Sequence, residues 1–165
     1  MIGRLRPYEP SSDEDGVVYL WLKSFAHSRY GRALGAHVPR SEAELRYWAE
    51  HRQVVMRLLT EAQTLVVCDP EAESVIWGFA TTQPDVVHYV SCKRSFHREG
   101  LSREMIRQLL GPQLGKPCVM THELVELCRE ELRGKLSIPS TWRHDPYWLA
   151  RAWGGSSQAS SQSAA

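Results

Sequence analysis

The hydrophobic period of this chain changes at residue 62, and that change limits the folds open to it. Before it, apolar residues recur at three- and four-residue spacing. After it come three closely spaced apolar runs, "TLVVCD" over 64–69, "VIWGFATTQ" over 75–83 and "VVHYVSCK" over 86–93. Short β-branched runs separated only by turn residues read as strands, and connections this brief join antiparallel neighbours. The helical period returns in "SFHREGLSREMIRQLLG", 95–111. Its apolar face is Leu101, Met105, Ile106, Leu109 and Leu110, and Gly111-Pro112 stops it. "PCVMTH" then reads as a further strand. Hairpins followed by a strand–helix–strand crossover make an α+β (mixed α/β) chain.

The flanking segments complete this frame. "IGRLRPY" reads as a first strand. Ser11 or Ser12 offers an N-cap, and Val18, Trp21, Leu22 and Phe25 recur at helical spacing, which predicts a helix over 13–29. "GRALGAHVP" is expected as a loop. Ser41 and Glu44 form a capping box for a second helix with Leu45, Trp48, Arg52, Val55 and Leu59 on one face. In the run from 75, Val75, Trp77 and Phe79 are expected on one face. Thr121 caps a predicted fourth helix carrying Leu124, Leu127, Cys128 and Leu132, and "KLSIP" is a last strand. The predicted single domain covers 1–153. The tail over 154–165, rich in Ser, Gly and Ala, is expected to be disordered.

Composition narrows the function classes. A net charge of +1 makes nucleic acid the less favoured partner, and no apolar run approaches membrane-spanning length. The first ten residues hold no apolar signal core, so a cytoplasmic protein is expected. Cys68, Cys92, Cys118 and Cys128 form no C-x-x-C pair, and reduced core thiols are the expectation. The spacing of His88, His122 and His144 matches no ligand rule, so no metal is expected.

The segment that opens the helix after residue 100 carries the chemistry. N–H groups at a helix N-terminus lack intrahelical partners and bear partial positive charge, so they favour phosphate. Gly100 removes a side chain that would block close approach, and Ser102 adds a donor. Lys93, Arg94 and Arg98 add charge. The six positions His97, Arg98, Glu99, Gly100, Leu101 and Ser102 resemble the Q/R-x-x-G-x-G/A acyl-CoA motif of the GNAT superfamily of N-acyltransferases. Here His97 replaces Gln or Arg, and Ser102 replaces Gly or Ala. The strand "VVHYVSCK", the hairpin strand "VIWGFA" and the element order from Arg4 to about residue 148 also resemble that family. The wording "HYVSCKRSFHREGLSREMI…MTH" looks most like GNAT-like proteins of tailed bacteriophages.

The resemblance implies a GNAT-like central mixed twisted sheet of about six to seven strands flanked by about four helices. It implies acetyl-CoA, or another acyl-CoA, as co-substrate, held by backbone groups of Val90, Ser91 and Cys92 and by the turn from His97 to Ser102. The fourth and fifth strands would splay apart to admit it. The acceptor would be an amine on a small molecule or protein, with a host protein or a nucleobase as the acceptor if the phage likeness holds. Arg29, Tyr30, Arg32 and His37 point to a polar or anionic acceptor, and the protein would be a monomer or homodimer.

Amine attack on a thioester needs a base, oxyanion stabilisation and a departing thiolate. His88, on the strand from 86, is one candidate base, against the alternative of a core histidine with a satisfied N–H. Alternation along that strand would put Tyr89 on the opposite face from His88 and Cys92 on the same face. His122, at the end of the fifth strand, is the other candidate. Many GNAT enzymes carry a thiolate-protonating tyrosine on the following helix. "HELVELCREEL" has none, so either Tyr147 reaches the site as the acid or the thiolate leaves without a dedicated one. A binding protein without turnover is the competing reading, with Trp142, Tyr147, Trp148 and Trp153 as a docking or dimer surface.

Overall fold

The computed structural model describes residues 3–97, 99–122 and 142–154. The predicted fourth helix, Cys128, the "KLSIP" strand, Arg98 and the tail beyond Gly154 lie outside the described residues.

Strand β1, Arg4–Pro7, leads into helix α1, Pro10–Ala26, which starts earlier than Ser11 or Ser12 would have it. Glu9 is the N-cap and Pro10 fills a first-turn position whose missing N–H costs nothing there. The Asp13 carboxylate accepts the Glu9 N–H at 2.8 Å and two Arg6 nitrogens at 2.5 and 2.7 Å, tying helix to strand. The first helix ends at Ala26, short of the expected 29, and a separate short helix α2, Arg29–Ala33, runs into the expected loop; its cap Ser28 accepts from the Gly31 N–H through its hydroxyl. Helix α3, Glu42–Glu61, begins at Ser41, and that side chain accepts from the Glu44 N–H as the capping box predicts. The face of α3 differs from expectation. Tyr47, Val55, Leu58 and Leu59 are buried, whereas Leu45 is exposed. The cause is steric: Tyr47 and His51 stack into an aromatic cluster with Phe25, and this rotates the helix toward them.

Strands β2, Gln63–Cys68, β3, Ile76–Gln83, and β4, Val86–Cys92, follow. Helix α4, Leu101–Leu110, crosses over to β5, Val119–Met120. Then come β6, Arg143–His144, and helix α5, Trp148–Gly154. The six described strands lie in chain order, antiparallel from β1 to β4 and parallel from β4 to β6. This is the expected mixed sheet, with five described helices where about four were expected.

The sheet separates two cores. On one face, Val17, Trp21 and Leu22 of α1 and Val55 and Leu58 of α3 pack on Val66, Phe79 and Tyr89. On the other, Leu101, Met105, Ile106 and Leu110 of α4 pack on Val67, Trp77, Ala80, Val87 and Val90, as the sequence spacing of α4 predicts. Trp77 and Phe79 therefore fall on opposite faces, contrary to simple alternation. A register shift opposite Val67 and Cys68 leaves Trp77 as an extra residue on β3, and an inserted residue reverses the order of sides.

Candidate active site

A second irregularity in the sheet builds the site. Thr82 pairs with Val87 and Thr81 with Tyr89, so His88 is the extra residue of a bulge in β4. Val87 and Val90 both lie in the core under α4, three residues apart, where strict alternation would separate them. The bulge therefore turns both His88 and Tyr89 toward the side of α1, α3 and α5. Tyr89 joins the core there, and the His88 ring lies 5.5 Å from that of Trp148. This corrects the expectation that the two point apart. Cys92 is also separated from His88: it packs toward the α4 core, and its Sγ lies 3.3 Å from the Ser102 hydroxyl. Burial pushes the Cys92 thiol up, so it is not an activated thiolate.

The bulge coincides with the end of strand pairing. β5 pairs with β4 only at Val86 and Val87. Beyond them the Thr121 N–H still reaches the Val87 carbonyl at 3.1 Å. From His88 to Cys92, no described strand pairs with β4 on that side. Val90 is buried and Ser91 and Cys92 are half-buried along this stretch.

The edge ends at the glycine turn. His97 Nε2 meets the Cys92 carbonyl at 3.1 Å, and Glu99 is exposed. Gly100 takes φ +78°, the left-handed region that favours glycine, and it is the N-cap of α4 without a side-chain cap. A Cβ added there would meet no described protein atom within 4 Å. Leu101 anchors the helix in the core below, while Lys93 and Arg94 are exposed nearby. Uncapped helix N–H groups, an open glycine and local cations suit a phosphate group. A separate cavity of about 260 Å³, lined by Asp85, Leu110, Lys116 and Cys118, lies at the other end of β4 and touches none of this chemistry.

At the bulge the two candidate histidines meet through one hydroxyl. The Thr121 Oγ1 lies 3.2 Å from His88 Nδ1 and 2.9 Å from His122 Nδ1. The His122 ring stands edge-on to Trp21, Phe25, His51 and Tyr89, with centroids 5.3 to 5.6 Å away. Tyr89 bonds the Ser24 hydroxyl at 3.0 Å, and Tyr47 donates to the Leu22 carbonyl at 3.0 Å. Burial lowers His88 and His51 to about 4 each. It also lowers His122 well below its ordinary value, helped by the neighbouring His51 and His88. All three are neutral at pH 7 and carry a free lone pair. Sequence reasoning treated Thr121 as a helix cap and overlooked His51. The signal for His51 was its spacing of four from both Tyr47 and Val55.

The C-terminal aromatics divide. Trp142 is buried in the α4 core, and its Nε1 donates to the Lys116 carbonyl at 3.0 Å, so it is not part of an exposed surface. Trp148 and Trp153 are half-buried. Tyr147 is 70% exposed, next in sequence to the Trp148 that covers His88. Among the described residues no cluster of three or more metal-ligating side chains occurs, and no helix is long and apolar enough to cross a membrane.

No protein-family model matches the sequence, and no curated protein does either. Among solved structures, the fold is similar to a transcriptional regulator from Bacillus halodurans, with a TM-score of 0.52 and 11% identity over 84% of this chain and 94% of that one. It is also similar to a GCN5-related N-acetyltransferase from Rhodopseudomonas palustris, with a TM-score of 0.47 and 19% identity over 68% and 66% of the two chains. A third is a GNAT-superfamily phosphinothricin acetyltransferase from Sinorhizobium meliloti in complex with AcCoA, with a TM-score of 0.46 and 15% identity over 70% and 62%. This chain spans just under two thirds of the length of those two acetyltransferases. At such identities the likeness is one of fold.

Proposed function

We propose that this chain is a GNAT-superfamily N-acyltransferase that moves an acetyl group from acetyl-CoA to an amine. One observation carries the reading. From His88 to Cys92 no described strand pairs with β4 on the side of β5, and this edge runs into a glycine-opened helix N-terminus without a side-chain cap among the described residues. An extended amide-bearing arm fits such an edge in the manner of an added strand, and a pyrophosphate fits the turn.

The co-substrate would supply a thioester whose carbonyl is open to attack. The chain supplies the rest. Backbone groups of Val90, Ser91 and Cys92 hold the arm in register, and a β4 N–H donates to the carbonyl oxygen as charge develops there. The turn from His97 through Arg98, Glu99, Gly100 and Leu101 to Ser102 anchors the phosphate end. His88 or His122, neutral at pH 7, accepts the proton of the attacking amine. Tyr147 is the candidate donor to the departing thiolate. The acceptor is an amine on a small molecule or a protein, and the cations of the α2 region, Arg29 and Arg32, suit one carrying an anionic group.

The test is calorimetric titration with acetyl-CoA, followed by thiol release with a panel of amines. Native protein is expected to bind. Gly100→Glu, which places a carboxylate where phosphate charge would sit, is expected to weaken binding at least about tenfold while the protein stays folded. No binding by the native protein would overturn the proposal.

A further inference from the structure

The function proposed above leaves open what orients His88, and the hydrogen atoms around Thr121 answer it. The Thr121 hydroxyl has one hydrogen to donate and two lone pairs to accept. Three groups surround its oxygen: His88 Nδ1 at 3.2 Å, His122 Nδ1 at 2.9 Å and the His88 carbonyl oxygen at 3.4 Å. The carbonyl can only accept. If the hydroxyl donates to it, both lone pairs are left to receive a hydrogen from each imidazole. Every hydrogen in the group then has an acceptor. The atoms left bare are Nε2 lone pairs, and His88 Nε2 is indeed buried without a partner among the described residues.

For His88 the other assignment is worse. If it carried its hydrogen on Nε2, a buried N–H would have no described acceptor. The hydroxyl can donate to His122 Nδ1, the shorter contact at 2.9 Å, or to the His88 carbonyl at 3.4 Å, and in either case its oxygen accepts from His88 Nδ1–H. Orphaned buried donors are rarer in proteins than under-used acceptors. We propose that Thr121 is a positioning residue that holds His88 in the Nδ1–H tautomer, so that the basic atom of that ring is Nε2. The isolated side chain in water favours the other tautomer, so this state has to be imposed by a neighbour. Thr121 acts through that ring. The inference rests on the proposed function only for its catalytic consequence, because the tautomer exists without any acyl donor.

The experiment is long-range ¹H–¹⁵N correlation on the full chain with ¹⁵N-labelled histidine, near pH 7 and without ligand. His88 is assigned by single substitution. It is expected to show a pyrrole-type Nδ1 and a pyridine-type Nε2. In Thr121→Val, of nearly the same shape, the ring is expected to revert to Nε2–H, and Thr121→Ser is expected to restore the native tautomer. For acetyl-CoA-dependent thiol release, Thr121→Val is expected to lower kcat about tenfold or more with KM for acetyl-CoA unchanged, and Thr121→Ser to recover most of it. An Nε2–H signal for His88 in the native protein would overturn the assignment, and that reading needs no variant to fold. An unchanged His88 tautomer in a folded Thr121→Val would equally overturn it. Failure of the proposed function would look different: no acetyl-CoA binding, with the His88 tautomer as described.

Discussion

Two side chains show how far single residues decide this structure. Asp13 is fully buried, accepts the Glu9 N–H and pairs with Arg6, whose charge it holds so firmly that the guanidinium is raised and the carboxyl lowered. Removing one partner of a buried pair leaves a charge without compensation. Asp13→Ala is therefore expected to cost about 3 kcal/mol in chemical denaturation, with Glu73, 3.6 Å from Arg6, softening the loss. Asp13→Ala combined with Arg6→Met should recover part of that cost; a double variant weaker than the single one would contradict the pairing. At this scale the sequence was readable where the chemistry is local. The Ser41–Glu44 cap was visible because both ends of its bond lie within one turn. Asp13 was visible only as an acid near a helix start, since the pairing with Arg6 needs the strand to lie alongside. His88 and His122 could be named from residue type and position. The hydroxyl that joins them could not, because residues 88 and 121 meet only in the folded sheet.

Among the elements, β4 carries the most consequence. Its existence, length and place after a hairpin were legible in "VVHYVSCK". Its bulge was not, because an unbroken run of apolar residues buried on both sides has no alternation to interrupt. The faces of His88, Tyr89 and Cys92 follow from that one inserted residue. The pairing of β3 with β4 depends in turn on Gly78. A Cβ there would fall 2.6 Å from Cys92 Sγ and 2.6 Å from the Ser91 carbonyl oxygen. The thiol could move aside, but the backbone oxygen could not without displacing the strand. Gly78→Ala is expected to cost about 1–3 kcal/mol. It should also weaken acetyl-CoA binding, because it pushes on the edge that would hold the arm. A variant as stable as the native protein, with unchanged affinity, would show that β4 yields freely there. Helix α4 was legible in full, since an amphipathic helix between two glycines announces face and ends together.

Over the whole molecule, the placement of titratable groups makes stability depend on pH in one direction. His51 and His88 are held at about 4 when folded, against an ordinary value of 6.5, because burial disfavours the charged ring. The unfolded chain takes up those protons as pH falls through 6.5, while the folded chain refuses them until about 4. In that window the unfolded state binds more protons, so acid favours unfolding, and above it neither state is charged and the effect vanishes. Asp13 acts in the adjoining window. Its lowered value gives a contribution complete above the ordinary carboxylate range and lost as pH falls through the folded value. The melting temperature should therefore be nearly flat above pH 7, then fall steadily from 6.5. At pH 5 the two histidines together should cost roughly 2–4 kcal/mol. His51→Phe separates this cause from general acid effects. His51 already lies parallel to Phe25, with ring centroids 4.8 Å apart, so a benzene ring keeps the stack and removes one proton site. Calorimetric scans from pH 8 to 4.5 should show the variant losing roughly a third of the native protein's acid sensitivity, since His122 is depressed as well, with little change at pH 8. Superimposable curves would mean that His51 is charged in the folded protein, and the aromatic cluster around His122 would then have to hold a cation.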